Sequence, residues 1–317
     1  MRTDNLSRAF ARRNGRRKGV PGGLVSHWAV ESVSMSIRRD ECLALVGRSG
    51  CGKTTLARMI ALLLPRTSGY IYLDSREVSS FTRKEHRQFR HRVRLIFQNQ
   101  DAIFNPYMSV RETLDESLRH LTELPRRQRG QMIEDLFLQV GLPPKLADRY
   151  PQKLSGGQKR RISIARALIG DPDLIIGDEP LASLDVFTQN HIVDQLLSLR
   201  ESRRFSLLLI THDIHRVHQL ATRIAVMHSG RLVEVARTSQ EFQHPYSISL
   251  FRASRLEEID EVDLGTEEGT YLTHSCLYRR YCPIYARSNK PEYCRTVQPQ
   301  LLPFEPGHEV ACHMVKL

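Results

Sequence analysis

Residues Gly47 to Thr54 read Gly-Arg-Ser-Gly-Cys-Gly-Lys-Thr, a G-x-x-x-x-G-K-[ST] spacing of glycines, lysine and hydroxyl. Glycines so spaced let the backbone fold until successive N–H groups, and the start of a following helix, point at phosphate oxygens. Lys53 would then neutralise the β- and γ-phosphates of a nucleotide, and the Thr54 hydroxyl would ligate Mg²⁺. By residue frequencies such a pattern arises by chance in roughly one chain per hundred of this length. A nucleotide site needs a second magnesium anchor, and Leu174-Ile175-Ile176-Gly177-Asp178-Glu179 supplies it. Asp178 suits the metal, and Glu179 suits a general base that polarises an attacking water. As mere surface charge, two acids closing a buried apolar strand would be costly without a cation. Leu154-Ser155-Gly156-Gly157-Gln158 stands about twenty residues before Asp178 and, taken alone, is a capped helix start.

The elements that must hold these residues follow from apolar patterning. Cys42 to Val46 is a short apolar run closed by Gly47, as expected of a buried strand in a parallel sheet. Thr54 to Leu64 has helical spacing and ends before Pro65. Further strands are expected at Arg94 to Phe97, Leu174 to Ile176, Leu207 to Ile210 and Arg223 to Met227. Helices are expected at Arg111 to Leu121, Arg129 to Val140, Gly156 to Ile169, Asp185 to Leu199 and Ile214 to Ala221. Alternation of strand and helix makes the core α/β with a parallel sheet. The strand-poor stretch 98–167 reads as a helical insertion in a domain spanning 1–243, and His228-Ser229-Gly230 as a hairpin turn. Residues 244–317 form an extension, entered through an acidic linker that includes Glu257, Asp260 and Glu268.

Composition bounds the rest. With 317 residues, 40% apolar and 26% charged, the chain has the makings of a packed core and is neither wholly disordered nor low-complexity. No apolar run reaches the eighteen or so residues of a membrane span, and the arginine-rich start lacks a signal peptide's apolar stretch, so a cytoplasmic location is expected. About half of the formal charge of +12 lies in the first forty residues, around Arg12, Arg13, Arg16, Arg17 and Lys18; such a run can bind nucleic acid or anionic lipid, and a solvated loop is its commonest form. Arg83 to Arg94 reads as an amphipathic surface element leading into a strand. Four of the six cysteines, Cys276, Cys282, Cys294 and Cys312, fall in the last 42 residues at gaps of five, eleven and seventeen. With no C-x-x-C pair and no route to an oxidising compartment, zinc, a cluster and free thiols all stay open while disulfides are disfavoured.

The glycine loop, the Leu154–Gln158 segment and the Asp178-Glu179 pair together resemble the ATP-binding-cassette (ABC) ATPases. Gln98 in Phe97-Gln98-Asn99 is similar to that family's Q-loop, Ser183-Leu184-Asp185 to its D-loop, and His212 in Ile210-Thr211-His212-Asp213 to its switch histidine. The resemblance implies a P-loop cassette with a mostly parallel core sheet, an antiparallel β subdomain, a helical subdomain and a small cysteine-containing C-terminal domain. It implies that ATP is bound by Gly47, Ser49, Gly50, Cys51, Gly52, Lys53, Thr54 and Thr55 of one chain. Ser155, Gly156, Gly157 and Gln158 of a second chain, with Asp185, would complete the site. Mg²⁺ would be held by Thr54, Gln98 and Asp178, and Glu179, His212 and Lys53 would be catalytic. Phe10 is the expected adenine-stacking aromatic, with Trp28 its competitor and core packing the alternative for both. The apolar first strand usual in the family is not evident before this segment, which suggests a trimmed or misassigned start.

Phe104-Asn105-Pro106, His244-Pro245-Tyr246 and Val310-Ala311-Cys312-His313 resemble the ATPase subunits of oligopeptide, dipeptide and nickel importers. That resemblance implies a heterodimer of two ABC ATPases under two membrane permeases, on the cytoplasmic face of the cell membrane, fed by an extracytoplasmic substrate-binding protein. No nucleic acid is expected. It also implies a 4Fe-4S cluster on Cys276, Cys282, Cys294 and Cys312, with His313 beside it, although the second gap is longer than the family's. Peptide is the expected cargo. Nickel or a metal chelate, a non-transport ABC ATPase acting on nucleic acid or ribosomes, and an ATP-binding scaffold are the alternatives. Cys51 stands where serine is commoner and Arg48 where an acid is commoner; a thiol beside phosphate-binding amides and Lys53 is expected to be acidified and open to alkylation.

Overall fold

The computed structural model describes residues 1–13, 24–98, 103–181, 186–254, 275–288 and 291–315. Its strands are β1 (Arg2–Arg13), β2 (Leu24–Ser36), β3 (Cys42–Val46), β4 (Ser68–Leu73), β5 (Arg76–Glu77), β6 (Val93–Ile96), β7 (Leu174–Asp178), β8 (Ser206–Ile210), β9 (Arg223–His228), β10 (Arg231–Arg237), β11 (Leu302–Glu305) and β12 (His308–Val310). Its helices are α1 (Lys53–Ile60), α2 (Arg83–Arg92), α3 (Val110–Leu121), α4 (Arg126–Gln139), α5 (Gly156–Ala167), α6 (Val186–Arg203), α7 (Ile214–Leu220), α8 (Pro245–Ser254), α9 (Pro283–Arg287) and α10 (Glu292–Thr296). They divide into two units: residues 1–36, 43–79 and 211–317, and residues 37–42 with 80–210.

In the first unit β3 pairs in parallel with β9, which turns through Ser229 and Gly230 into antiparallel β10. β12 and then β11 extend that edge. All five residues of β3 are buried, as a strand covered on both faces requires. A separate antiparallel sheet runs β2-β1-β4-β5. The segment that carries Phe10 is itself a strand: β1 occupies Arg2–Arg13, with Leu6 wholly buried and the Thr3 hydroxyl donating to the Val33 carbonyl at 3.1 Å. Arg12 and Arg13 belong to this strand rather than to a loop; 14–23, with Arg16, Arg17 and Lys18, lie outside the described residues. So does most of the acidic linker, within 255–274.

The second unit carries the parallel strands β6, β7 and β8, side by side in that order. Parallel pairing in both units bears out the α/β expectation. The amphipathic element at Arg83–Arg92 is α2, begun by a capping box in which Thr82 and Glu85 satisfy each other's backbone N–H groups. Between Gln98 and Ala167 the described residues form helices and no strand. Ser109 with Glu112 opens α3 by the same device, and Ser155 with Gln158 opens α5. Expected helix ends move by a few residues. The helix expected to reach Leu64 closes at Ile60, because Leu62 turns left-handed at φ 56° and the N–H groups of Leu63 and Leu64 return to the Arg58 carbonyl.

Candidate active site

The loop from Gly47 to Gly52 joins the end of β3 to α1, so its N–H groups gather at the start of a helix whose first turn has no acidic residue. A helix start without a carboxylate leaves its N–H groups and positive dipole end for an anion. Two glycines are dictated by space. A Cβ on Gly47 would stand 2.2 Å from the Met227 carbonyl oxygen, and one on Gly52, at φ 107°, only 2.0 Å from that of Ala29. Ser49 and Gly50 form the exposed tip between them, while Thr54 and Thr55 are half-buried in the first turn of α1.

Lys53 is only 7% exposed, and its ammonium donates to the carbonyls of Gly47 at 2.7 Å and Arg48 at 2.8 Å. A cation held at this depth by carbonyl dipoles is complementary to a phosphate, since burying charge is costly until a counter-charge arrives. Its ammonium also lies 3.7 Å from the Cys51 sulfur. Cys51 is 1% exposed, which corrects the expectation of a readily alkylated thiol: the sulfur is closed off inside the loop.

His212 is exposed just beyond Thr211, whose N–H donates to the Leu45 carbonyl of β3 at 3.3 Å, so it leaves the sheet beside the strand that feeds the glycine loop. Phe10 lies on β1 with its ring 39% exposed and the Arg8 guanidinium carbon 4.8 Å from the ring centroid. Trp28 is half-buried one register step away on β2, opposite Ala9.

In the second unit Asp178 ends β7 at 3% exposed. Glu179 follows at φ 52°, held by its N–H to the Ile210 carbonyl at 2.9 Å. A left-handed non-glycine residue stores on the order of 1–3 kcal/mol, a cost that marks positions where side-chain aim matters. Arg160, a residue whose part was not evident from the sequence, is buried nearby. It donates to the Phe97 carbonyl at 3.3 Å, and burial lowers its pKa to about 10 against the opposing pull of the Glu179 carboxylate. The only sequence hint was its place in a basic run straight after the glycine pair. Gln98 is exposed just past β6. Asp185, with Ser183 and Leu184, lies outside the described residues.

Ser155 and Gln158 lock each other in the capping box of α5: the Ser155 hydroxyl accepts from the Gln158 backbone N–H at 3.3 Å, and the Gln158 side-chain Oε1 accepts from the Ser155 N–H at 3.1 Å. Ser155 and Gly156 are exposed, and a Cβ on Gly156 would meet nothing within 4 Å. One on Gly157 would come within 3.1 Å of the Thr188 methyl group. Packing among the described residues therefore gives no reason for glycine at 156.

The four late cysteines converge although their spacing hides it. All four line one cavity of about 10 Å³, with His244 and Tyr278 in its wall. Burial pushes the Cys276 thiol up to about 12 and raises Cys294 and Cys312 as well, each thiolate repelling the others. Thiols so raised stay protonated near neutral pH, whereas a bound cation would deprotonate them. The donor type fits a thiolate-ligated centre. The spacing is not closed, for among the described residues no three His, Cys, Asp or Glu side chains form a group able to hold a metal ion, and the enclosed space suits about one water-sized sphere. His313 donates through Nε2 to the Val297 carbonyl at 3.0 Å.

Comparison with known proteins decides what this arrangement belongs to. The family model described as ABC transporter matches residues 30–182. A probable peptide ABC transporter ATP-binding protein, y4tS, of Sinorhizobium fredii is 35% identical over 295 residues, 90% of this chain and 82% of the relative. The chain belongs to the ABC transporter ATP-binding proteins. A putative oligopeptide transport ATP-binding protein, YkfD, of Bacillus subtilis is likewise 35% identical, over 91% of this ABC protein and 90% of its own length. The fold agrees with a solved dimeric ATP-binding cassette, MJ0796, bound to ADP and Pi: TM-score 0.66 and 24% identity, covering 76% of this chain and 99% of that one. As an ABC ATPase the protein uses ATP with Mg²⁺ and hydrolyses it. No described helix of it is long and apolar enough to cross a membrane.

Proposed function

We propose that this ABC ATPase powers import of di- or oligopeptides, working as one of two ATPase subunits against two membrane permeases at the cytoplasmic membrane face, with an extracytoplasmic protein delivering the cargo. The observation that carries the two-ATPase part is the exposed Ser155-Gly156 turn, a glycine with no steric reason among the described residues of its own chain. Glycine is required where another backbone or a ligand approaches closely, so a second subunit's nucleotide is the fitting occupant. The peptide cargo is supported by the names of the Sinorhizobium and Bacillus relatives, which favour it over nickel or a metal chelate.

In this reading the amides of the Gly47–Thr55 segment and the Lys53 ammonium hold the β- and γ-phosphates, and an aromatic of β1 or β2, Phe10 or Trp28, stacks on adenine. Thr54, Asp178 and Gln98 would hold the Mg²⁺, which when bound would offset charge on the phosphate oxygens. Glu179 takes a proton from water as the water oxygen attacks the γ-phosphorus in line, and the bond to the ADP oxygen breaks. His212 steadies the γ-phosphate and the water. The four cysteines would be the ligands of an iron-sulfur cluster, which would tie the extension's segments together; their convergence on one cavity supports this. Proteoliposomes holding the permeases and both ATPases should accumulate peptide with ATP. With Glu179→Gln they should bind ATP but neither hydrolyse it nor accumulate peptide. Wild-type turnover in that variant removes Glu179 from its role, and peptide-independent ATP use with nickel uptake removes peptide as cargo.

A further inference from the structure

His244-Pro245-Tyr246 lies far from the glycine loop in sequence and has no part in the chemistry above, yet it reaches that loop. The N–H of Arg48, the loop's second residue, donates to the Tyr246 hydroxyl at 3.2 Å. Tyr246 is 0% exposed and is clamped from three directions. Its ring sits against His228, centroids 4.4 Å apart, and against Tyr278 at 5.4 Å and 70°. Its own N–H donates to His244 Nδ1 at 3.0 Å. The turn before it is pinned in turn: the N–H groups of Gln243 and His244 donate to the Glu234 carboxylate at 2.7 and 3.1 Å, and His308 Nε2 stands 2.7 Å from the same carboxylate. A phenol held on so many sides loses little further freedom when it accepts one more hydrogen bond.

The place of that bond gives it a use. Gly47 is pressed on Met227, the residue before His228, so loop and strand end meet just where Tyr246 packs. Nucleotide binding requires the loop's amides to stay aimed at one point, and a loop free to rotate at its first turn spends binding energy on ordering itself. We propose that Tyr246 is a positioning residue of the nucleotide site: its hydroxyl fixes the first turn of the glycine loop from the C-terminal extension, and so sets the affinity for MgATP. The inference rests on the reading of Gly47–Thr54 as that site.

The test is Tyr246→Phe in the full-length chain, which keeps the ring between His228 and Tyr278 and removes the hydroxyl that accepts from the Arg48 N–H. Displacement of a fluorescent ATP analogue by MgATP gives the affinity, with Lys53→Ala as the blank, and turnover is followed in the transporter assembled with its partner subunits. Kd and KM for MgATP should rise together by about three- to tenfold, the worth of one ordinary hydrogen bond, with kcat held within about twofold. An unchanged Kd overturns the proposal even if the melting temperature falls, because that result is purely structural. A collapse of kcat at unchanged KM overturns it too. If the wild type itself binds no MgATP, the reading of the loop fails and the inference falls with it.

Discussion

Gly156→Ala should act in opposite directions on stability and on activity. The residue is the first of α5 and has no positive φ, so alanine fits its backbone, and the added Cβ would meet nothing within 4 Å. Exchanging glycine for alanine at a compatible helical position stabilises by about 0.5–1 kcal/mol, chiefly through the unfolded chain. At a helix edge the lower value applies, which for a chain of this size raises the melting temperature by about 1–2 °C. On the proposed reading the same methyl group would stand on the face offered to a partner's nucleotide, and loss of that close approach should reduce ATP turnover of the assembled transporter at least tenfold, about 1.4 kcal/mol. Scanning calorimetry of the full-length chain and steady-state ATPase assays on the complex read the two effects separately. Full turnover in the stabilised variant would refute the reasoning, since glycine would then serve no partner; a lowered melting temperature would show that its environment within the chain had been misread.

Gly52→Ala should behave differently, because its Cβ would be driven to 2.0 Å from the Ala29 carbonyl at φ 107°: both melting temperature and MgATP affinity should fall, by roughly 1–3 kcal/mol in stability on urea unfolding. Cys51 should react slowly with iodoacetamide in the folded chain and quickly in urea, being 1% exposed, and mass spectrometry of the tryptic fragment follows both rates. The pH dependence of stability follows from His228 and His244, whose pKa values burial lowers to about 4 and about 3. Both are then neutral in the fold where the unfolded chain takes up protons below about 6.5, so stability is full above that pH and declines as pH falls toward 4. Near pH 5 the pair should cost up to about 2.7 kcal/mol per pH unit. In urea unfolding at pH 7 and pH 5, His228→Phe should flatten that slope by about half; an unaltered slope would contradict the assignment.

The chemistry was legible in the sequence because phosphate binding tolerates few residue types at few spacings, and the loop, the acid pair and the capped glycine pair sit on the strand ends and helix starts expected of them. Buried strands such as β3 and β8 were legible because every residue in them is apolar or small. The β1–β2 sheet was implied by family resemblance alone. Register shifts between Thr3 and Ala9 break the alternation that would have announced β1, and Leu6 is the one large aliphatic residue of that strand. Long-range closure was invisible for a different reason. Arg48 and Tyr246 are 198 residues apart, and the four cysteines are separated by gaps with no metal-site signature, so only folding brings either set together.

Isothermal titration of the full-length chain with MgATP, wild type against Lys53→Ala, tests the central claim most directly. Saturable binding of one nucleotide per chain that disappears with the Lys53 ammonium is the predicted result. Equal affinity in both proteins would place the nucleotide elsewhere and contradict the account.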